Sequence, residues 1–241
     1  MTKQQIYAKY GIYYHNGKID TPIGTINELL KVGNSKTGKA VKTWSMSQDT
    51  CPCHCKGCYA NYGCYQFPSV KKSLERNTTI AREYLEFLNR ALRAQCETLK
   101  DGTEVRIHAV GDFFSYDYLM MWHNIARDFP RLIFWTYTKV RPFEDAFNEL
   151  DNANIVKSVI PSFGFNFGHC GYVIDVYHAL IKLGVKVHIC RCGIDVNQHC
   201  EGCGKCSKYD YVLFIEHSTD YVAKEDPRYN EIVELIENQL Y

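Results

Sequence analysis

Apolar residues recur every three to four positions over 73–100, at Ile80, Tyr84, Phe87, Leu88, Ala91, Leu92 and Leu99. This spacing predicts one long helix, with Ser73 as its N-cap and Asp101-Gly102 as its end. Shorter runs of the same period predict further helices. One follows Ser115 and carries Leu119, Trp122, Ile125, Ala126 and Phe129, closed by Pro130; a short one follows Pro142. Another covers 171–183 and ends at Gly184, and a last one opens at Pro227 with Ile232, Val233, Ile236 and Leu240. β-prone runs lie between them at 41–47, 105–110, 132–137, 155–160, 185–190 and 211–217. In 185–190 the alternation is plain: Val185, Val187 and Ile189 against Lys186, His188 and Cys190. Near the start, Asn16-Gly17 between two short β-prone runs predicts a hairpin, and residues 25–32 read as a helical turn.

Strand and helix alternate at least four times, and parallel strands need such crossovers. The expected fold is therefore α/β, as a partial (β/α) barrel with a cysteine-rich C-terminal extension; a doubly wound open sheet is the alternative. Three stretches follow: an N-terminal extension with a small hairpin (1–40), the α/β partial barrel with a cysteine loop near its start (41–190), and a cysteine-rich segment with a terminal strand and helix (191–241). No internal repeat or low-complexity linker interrupts them.

Composition narrows the function classes. The 241 residues are 46% hydrophobic, enough for a substantial core, and the net charge is +1. A global basic field for nucleic acid is absent. No apolar run resembles a signal peptide or a membrane span, so a cytoplasmic protein with no membrane partner is expected. Twelve cysteines would be kept reduced in such a compartment. Ten of them fall at 51–64 and 190–206, and this clustering points to metal, where a disulfide framework would scatter them.

Cys51, Cys55 and Cys58 read C-x3-C-x2-C, a spacing that lets one loop turn three thiolates toward a common point. Sulfur donors so arranged favour an iron–sulfur cluster or zinc. A cubane cluster needs four ligands, so three would leave one iron open. The second group, Cys200-x2-Cys203-x2-Cys206 with Cys192 or Cys190 as a fourth thiolate, has ferredoxin-like spacing, and zinc fits the same sulfurs. One or two [4Fe–4S] clusters are thus expected, with zinc as the alternative metal. His54 and His199 sit inside the two groups as alternative ligands or hydrogen-bond donors beside the metal. If the fifth strand ends on the same rim as the first, both groups share one face.

C-x3-C-x2-C early in an α/β chain resembles the radical S-adenosylmethionine (SAM) superfamily. The resemblance implies a [4Fe–4S] cluster on Cys51, Cys55 and Cys58, with SAM on the open iron. It also implies reductive cleavage of SAM to start radical chemistry, and an electron donor such as flavodoxin or ferredoxin. Gly57 stands where that family usually has an aromatic residue. Gly111-Asp112, after the second strand, corresponds to the family's glycine-rich turn near the SAM amino group, with one glycine and an Asp in place of paired glycines and Glu. Several stretches are also similar to the phage gene product 88 family: Lys42–Ser45, Cys58–Ala60, Arg106–His108 running into Gly111–Ser115, and Phe134–Thr138. This second likeness covers roughly residues 30–217 and carries no activity with it.

Other candidates have ordinary readings beside the functional one. Ser162 is either a ribose ligand or a turn serine, and Lys139 either faces the same rim or is solvated. Gly33–Ala40 has the G-x4-G-K of a P-loop, but Ala40 replaces the Ser/Thr and a strand follows, so triphosphate binding is rejected. No nucleophile elbow or oxyanion motif occurs, and the catalytic residues stay open. The competing class is a non-enzymatic iron–sulfur or zinc protein with a structural, electron-transfer or macromolecule-binding role.

Overall fold

A five-stranded sheet organises the first two-thirds of the protein. Its strands are β4 (Lys31–Val32), β5 (Lys42–Trp44), β6 (Glu104–Ile107), β7 (Ile133–Thr138) and β8 (Ala153–Lys157), hydrogen-bonded in that order. β4 pairs antiparallel with β5, and β5 to β8 are mutually parallel. The structure, a computed structural model, describes residues 1–33, 40–52, 58–158, 167–191, 194, 203–215 and 223–239. The four parallel strands follow one another in sequence order, without a reversal among them. Barrel walls and half-sheets share that winding, and no ladder closes the sheet among the described residues.

Alternation gives the sheet two unlike faces. Trp44, Val105, Ile107, Phe134, Thr136 and Ile155 share one face and are buried. Against it pack α2 (Pro68–Glu83), α3 (Leu85–Glu97) and α4 (Tyr116–Asp128). The other face carries the polar row Thr43–Arg106–Trp135–Asn154. Full burial of Leu119, Trp122 and Ile125 on α4 stabilises this layer by about 1.5–3 kcal/mol for each aliphatic side chain.

The long helix expected over 73–100 is two helices. It begins earlier, with Pro68 at its first turn, and breaks at Tyr84 (φ −134°, ψ 47°). Each half has its own anchor. On α2, Asn77 Nδ2 donates to the Ser45 carbonyl, and Thr78 Oγ1 accepts from Ser47 N. α3 instead packs against α1 (Lys3–Lys9) and α4.

The hairpin forms as β1 (Tyr14–His15) and β2 (Lys18–Thr21), with Asn16 and Gly17 both at positive φ. Where a helical turn is expected, β3 (Gly24–Asn27) joins β2 and β4 follows. Tyr7, Ile12, Ile19 and Leu29 enter the main core, so this N-terminal stretch is packed onto the sheet layer.

A second core lies beyond residue 166. The parallel strands β9 (Phe167–Gly168), β10 (Val187–Cys190) and β11 (Tyr211–Ile215) are ordered β10-β11-β9. Val173 and Ile174 of α5 (Cys170–Lys182) pack there with Ile232 and Ile236 of α6 (Tyr229–Asn238). The fifth strand of the sequence pattern, β10, thus joins this smaller sheet. The two parts meet where Lys157 N of β8 donates to the Asp210 carbonyl (2.7 Å). Among the described residues, no helix is long and apolar enough to cross a membrane.

Candidate functional site

The first cysteine group leaves the carboxyl end of β5, where parallel α/β folds place their ligands. The stem is well held. Met46 N donates to the Val110 carbonyl (3.0 Å), Ser47 N to Thr78 Oγ1 (2.9 Å), and Thr50 Oγ1 to the Ser47 carbonyl (2.7 Å). Cys51 follows at once. Residues 53–57, with Cys53, His54 and Cys55, lie outside the described residues.

The chain returns at Cys58, which like Cys51 is half-buried, while Cys64 is exposed. Between them stands Tyr59. Its hydroxyl donates to the Ala109 carbonyl, and its ring meets Tyr65 edge-on at 5.7 Å. Desolvation pushes the Tyr59 phenol up, Arg106 opposes it, and Cys58 and Cys51 both add to it. Both sulfurs therefore lie within electrostatic reach of one phenol. The thiol chemistry of the donors suits a thiophilic metal. Among the described residues, no three His, Cys, Asp or Glu side chains form a metal-holding group, and Cys55 is outside them.

Gly111-Asp112 packs directly on the stem of this loop. Gly111 has φ +92°, and a Cβ there would come 2.8 Å from Thr50 Oγ1 and 3.1 Å from Met46 Cβ. Asp112 N donates to Thr50 Oγ1 (3.3 Å). The buried Asp112 carboxylate ties the end of β6 to the end of β7. Its Oδ1 accepts from Phe113 N and Thr138 Oγ1 (2.8 Å each), and its Oδ2 from Lys139 N (3.0 Å). Burial raises this carboxyl to about 6, against the pull of those donors. The turn docks the cysteine stem, and three donors already occupy the acid. Lys139, half-buried, enters through its backbone N–H.

Sequence reasoning passed over the cluster beneath this turn. His108 has φ +66° and is buried, and its Nε2 lies 2.9 Å from the Tyr118 hydroxyl. That hydroxyl also accepts from Trp44 Nε1 (2.8 Å). Burial, helped by Arg106, lowers His108 to about 3, so the imidazole is neutral. A non-glycine residue in the left-handed region at a strand end marks a position held by its surroundings. No spacing rule singles it out.

The second cysteine group approaches the polar face of the same sheet. The Tyr137 hydroxyl lies 3.1 Å from Cys206 Sγ. Asn154 Nδ2 donates to the carbonyls of Cys206 and Tyr209 (2.8 Å each) and so holds that turn over β7 and β8. Desolvation raises the Tyr137 phenol; Cys206 and Cys190 add to it, and Arg106 opposes them. Arg106 thus acts on both Tyr59, beside the first group, and Tyr137, beside the second. Cys203 is exposed, and Cys192, Cys200, His199 and Ser162 lie outside the described residues, as do 34–39 of the P-loop-like stretch. An open, polar cavity of about 210 Å³ flanks the cysteine stem, lined in part by Gln48, Asp49, Asn61, Tyr65 and Lys71.

A family model described as "Gene product 88" matches residues 23–166. The "Gene 88 protein" of Mycobacterium phage D29 and that of Mycobacterium phage L5 are each 44% identical to this chain over 46 residues. Each match spans 19% of this chain and 19% of the relative's own length. No solved structure matches.

Proposed function

The chain belongs to the gene product 88 family, and we propose that this phage-type protein is a cysteine-ligated iron–sulfur protein of radical SAM character working in the reducing cytoplasm of a host cell. One observation supports the reading most: the loop that carries Cys51 follows the carboxyl end of the first parallel strand, its stem held by Val110 and Thr78. Cys51, Cys55 and Cys58 would hold the cluster. When bound, it would supply one-electron reduction of the SAM sulfonium, fed by a flavodoxin- or ferredoxin-like donor.

The chain's own residues supply position. Thr50 and Met46 fix the stem against Gly111. Asp112 locks the β6 and β7 ends together as a positioning residue. The buried, hydrogen-bonded Trp44–Tyr118–His108 cluster backs the turn. The cysteines of 192–206 would carry a second metal, iron–sulfur or zinc.

A second reading has its own support. The space at Gly111 is filled by Thr50 and Met46, and the Asp112 oxygens are engaged by three donors of the chain. A turn with a structural task favours a metal protein that transfers electrons or binds a macromolecule without SAM. Anaerobic reconstitution with iron and sulfide, then electron paramagnetic resonance with and without SAM, separates the two. A protein that takes up only zinc overturns the SAM reading and electron transfer, and leaves a structural or macromolecule-binding metal protein.

A further inference from the structure

We propose that Arg106 anchors an oxyanion-binding site on the polar face of the central sheet, taking the carboxylate or phosphate group of a small-molecule ligand. Arg106 lies in the row Thr43–Arg106–Trp135–Asn154. Its guanidinium carbon sits 5.2 Å from the Trp135 ring centre and 5.9 Å from that of Tyr137. Contact with two rings holds the flat group by cation–π attraction and leaves its N–H edge for another partner.

That partner is missing among the described residues. Arg106 Nε is buried without a hydrogen-bond partner. Glu104, two residues back on the same face, instead accepts from Trp135 Nε1 (3.0 Å). Among the described residues, the groups whose titration Arg106 shifts are the phenols of Tyr59, Tyr65 and Tyr137 and the neutral imidazole of His108. None of these is an anion near neutral pH. A cation partly removed from water and left unpaired costs free energy. A carboxylate or phosphate offers the guanidinium fork two parallel acceptors and offsets that cost. The place is also apt, because Arg106 packs on Tyr137, whose hydroxyl lies 3.1 Å from Cys206 Sγ, and acts electrostatically on Tyr59. The inference stands on these side chains alone, whether or not the cysteines carry a cluster.

The test uses the full chain with inorganic phosphate and succinate as separate probes, followed by titration calorimetry. Wild type should bind at least one, more weakly as salt rises, since the contact is a charge pair. Phosphate alone would identify a phosphorylated ligand, and succinate alone a carboxylate. Arg106→Gln should weaken the binding by about tenfold or more, and Arg106→Lys less, because lysine keeps the charge and loses the fork. Phenylglyoxal labelling of wild type, mapped by mass spectrometry, covers the case in which a variant fails to fold: the bound anion should protect Arg106. Binding of neither probe, equal binding by Arg106→Gln, or no protection of Arg106 overturns the proposal.

Discussion

Changing Asp112 to asparagine should alter the pH dependence of stability in a stated direction. The carboxyl is 3% exposed, and burial raises it from 3.8 to about 6, although Lys139 N, Thr138 Oγ1 and Phe113 N all donate to it. Between those two values the folded chain keeps a proton that the unfolded chain has released. Wild-type stability therefore falls as pH rises through this window. The full loss is about 3 kcal/mol, absent below the lower value and complete above the upper one. Asparagine does not titrate. It preserves one acceptor for Phe113 and Thr138 but turns an amide donor toward Lys139 N, at a roughly pH-independent cost of about 1–3 kcal/mol. Urea unfolding of both proteins from about pH 4 to about pH 7 isolates the effect, because every other group cancels in the difference. Wild type minus variant should shrink by about 2.5 kcal/mol across the range. A difference that stays flat, or grows with pH, refutes the assignment of a raised, buried carboxyl.

Gly111→Val should lower stability by roughly 3 kcal/mol or more, since its Cβ meets Thr50 Oγ1 and Met46 Cβ at a φ of +92° that β-branched residues avoid; an unchanged thermal midpoint contradicts the tight docking of this turn on the cysteine stem. Tyr118→Phe removes a buried hydroxyl shared by Trp44 and His108 and should cost about 1–3 kcal/mol in denaturant unfolding; a neutral effect contradicts the network.

Period and turn chemistry made much of the architecture legible. Val105 and Ile107 alternate with Arg106, and the strand forms with the apolar pair inward. Ser115 caps α4 through its side chain, as expected from its place before the apolar stripe. Asn16-Gly17 makes its hairpin because both residues accept positive φ. Tertiary contacts decided the rest. The apolar stripe runs unbroken through Tyr84, yet the helix breaks there, because Asn77 and Thr78 fasten one half to the end of β5 and α1 draws on the other. β10 alternates as well as any strand, but its partner is β11, and pairing is a long-range choice that local pattern does not carry.

The site was legible in the same partial way. Cysteine spacing pointed to the loop, and its stem does leave the carboxyl end of β5, held by Val110 and Thr78. The roles of Gly111 and Asp112 depend on Thr50 and Thr138, each distant along the chain, so spacing alone could not show that the turn serves the stem. In the sequence Arg106 is one residue of the 105–110 β-prone run and of a stretch similar to the gene product 88 family. Its importance appears only when Trp135 and Tyr137 are placed beside it.

The Cys51–Cys58 loop is proposed to hold an iron–sulfur cluster open to SAM. Its most direct test is electron paramagnetic resonance of the anaerobically reconstituted, dithionite-reduced chain, with and without SAM, beside Cys58→Ala. Wild type should give a [4Fe–4S] signal that SAM shifts, and Cys58→Ala should lose that SAM-sensitive signal. An iron-loaded wild type whose spectrum is the same with and without SAM would contradict it.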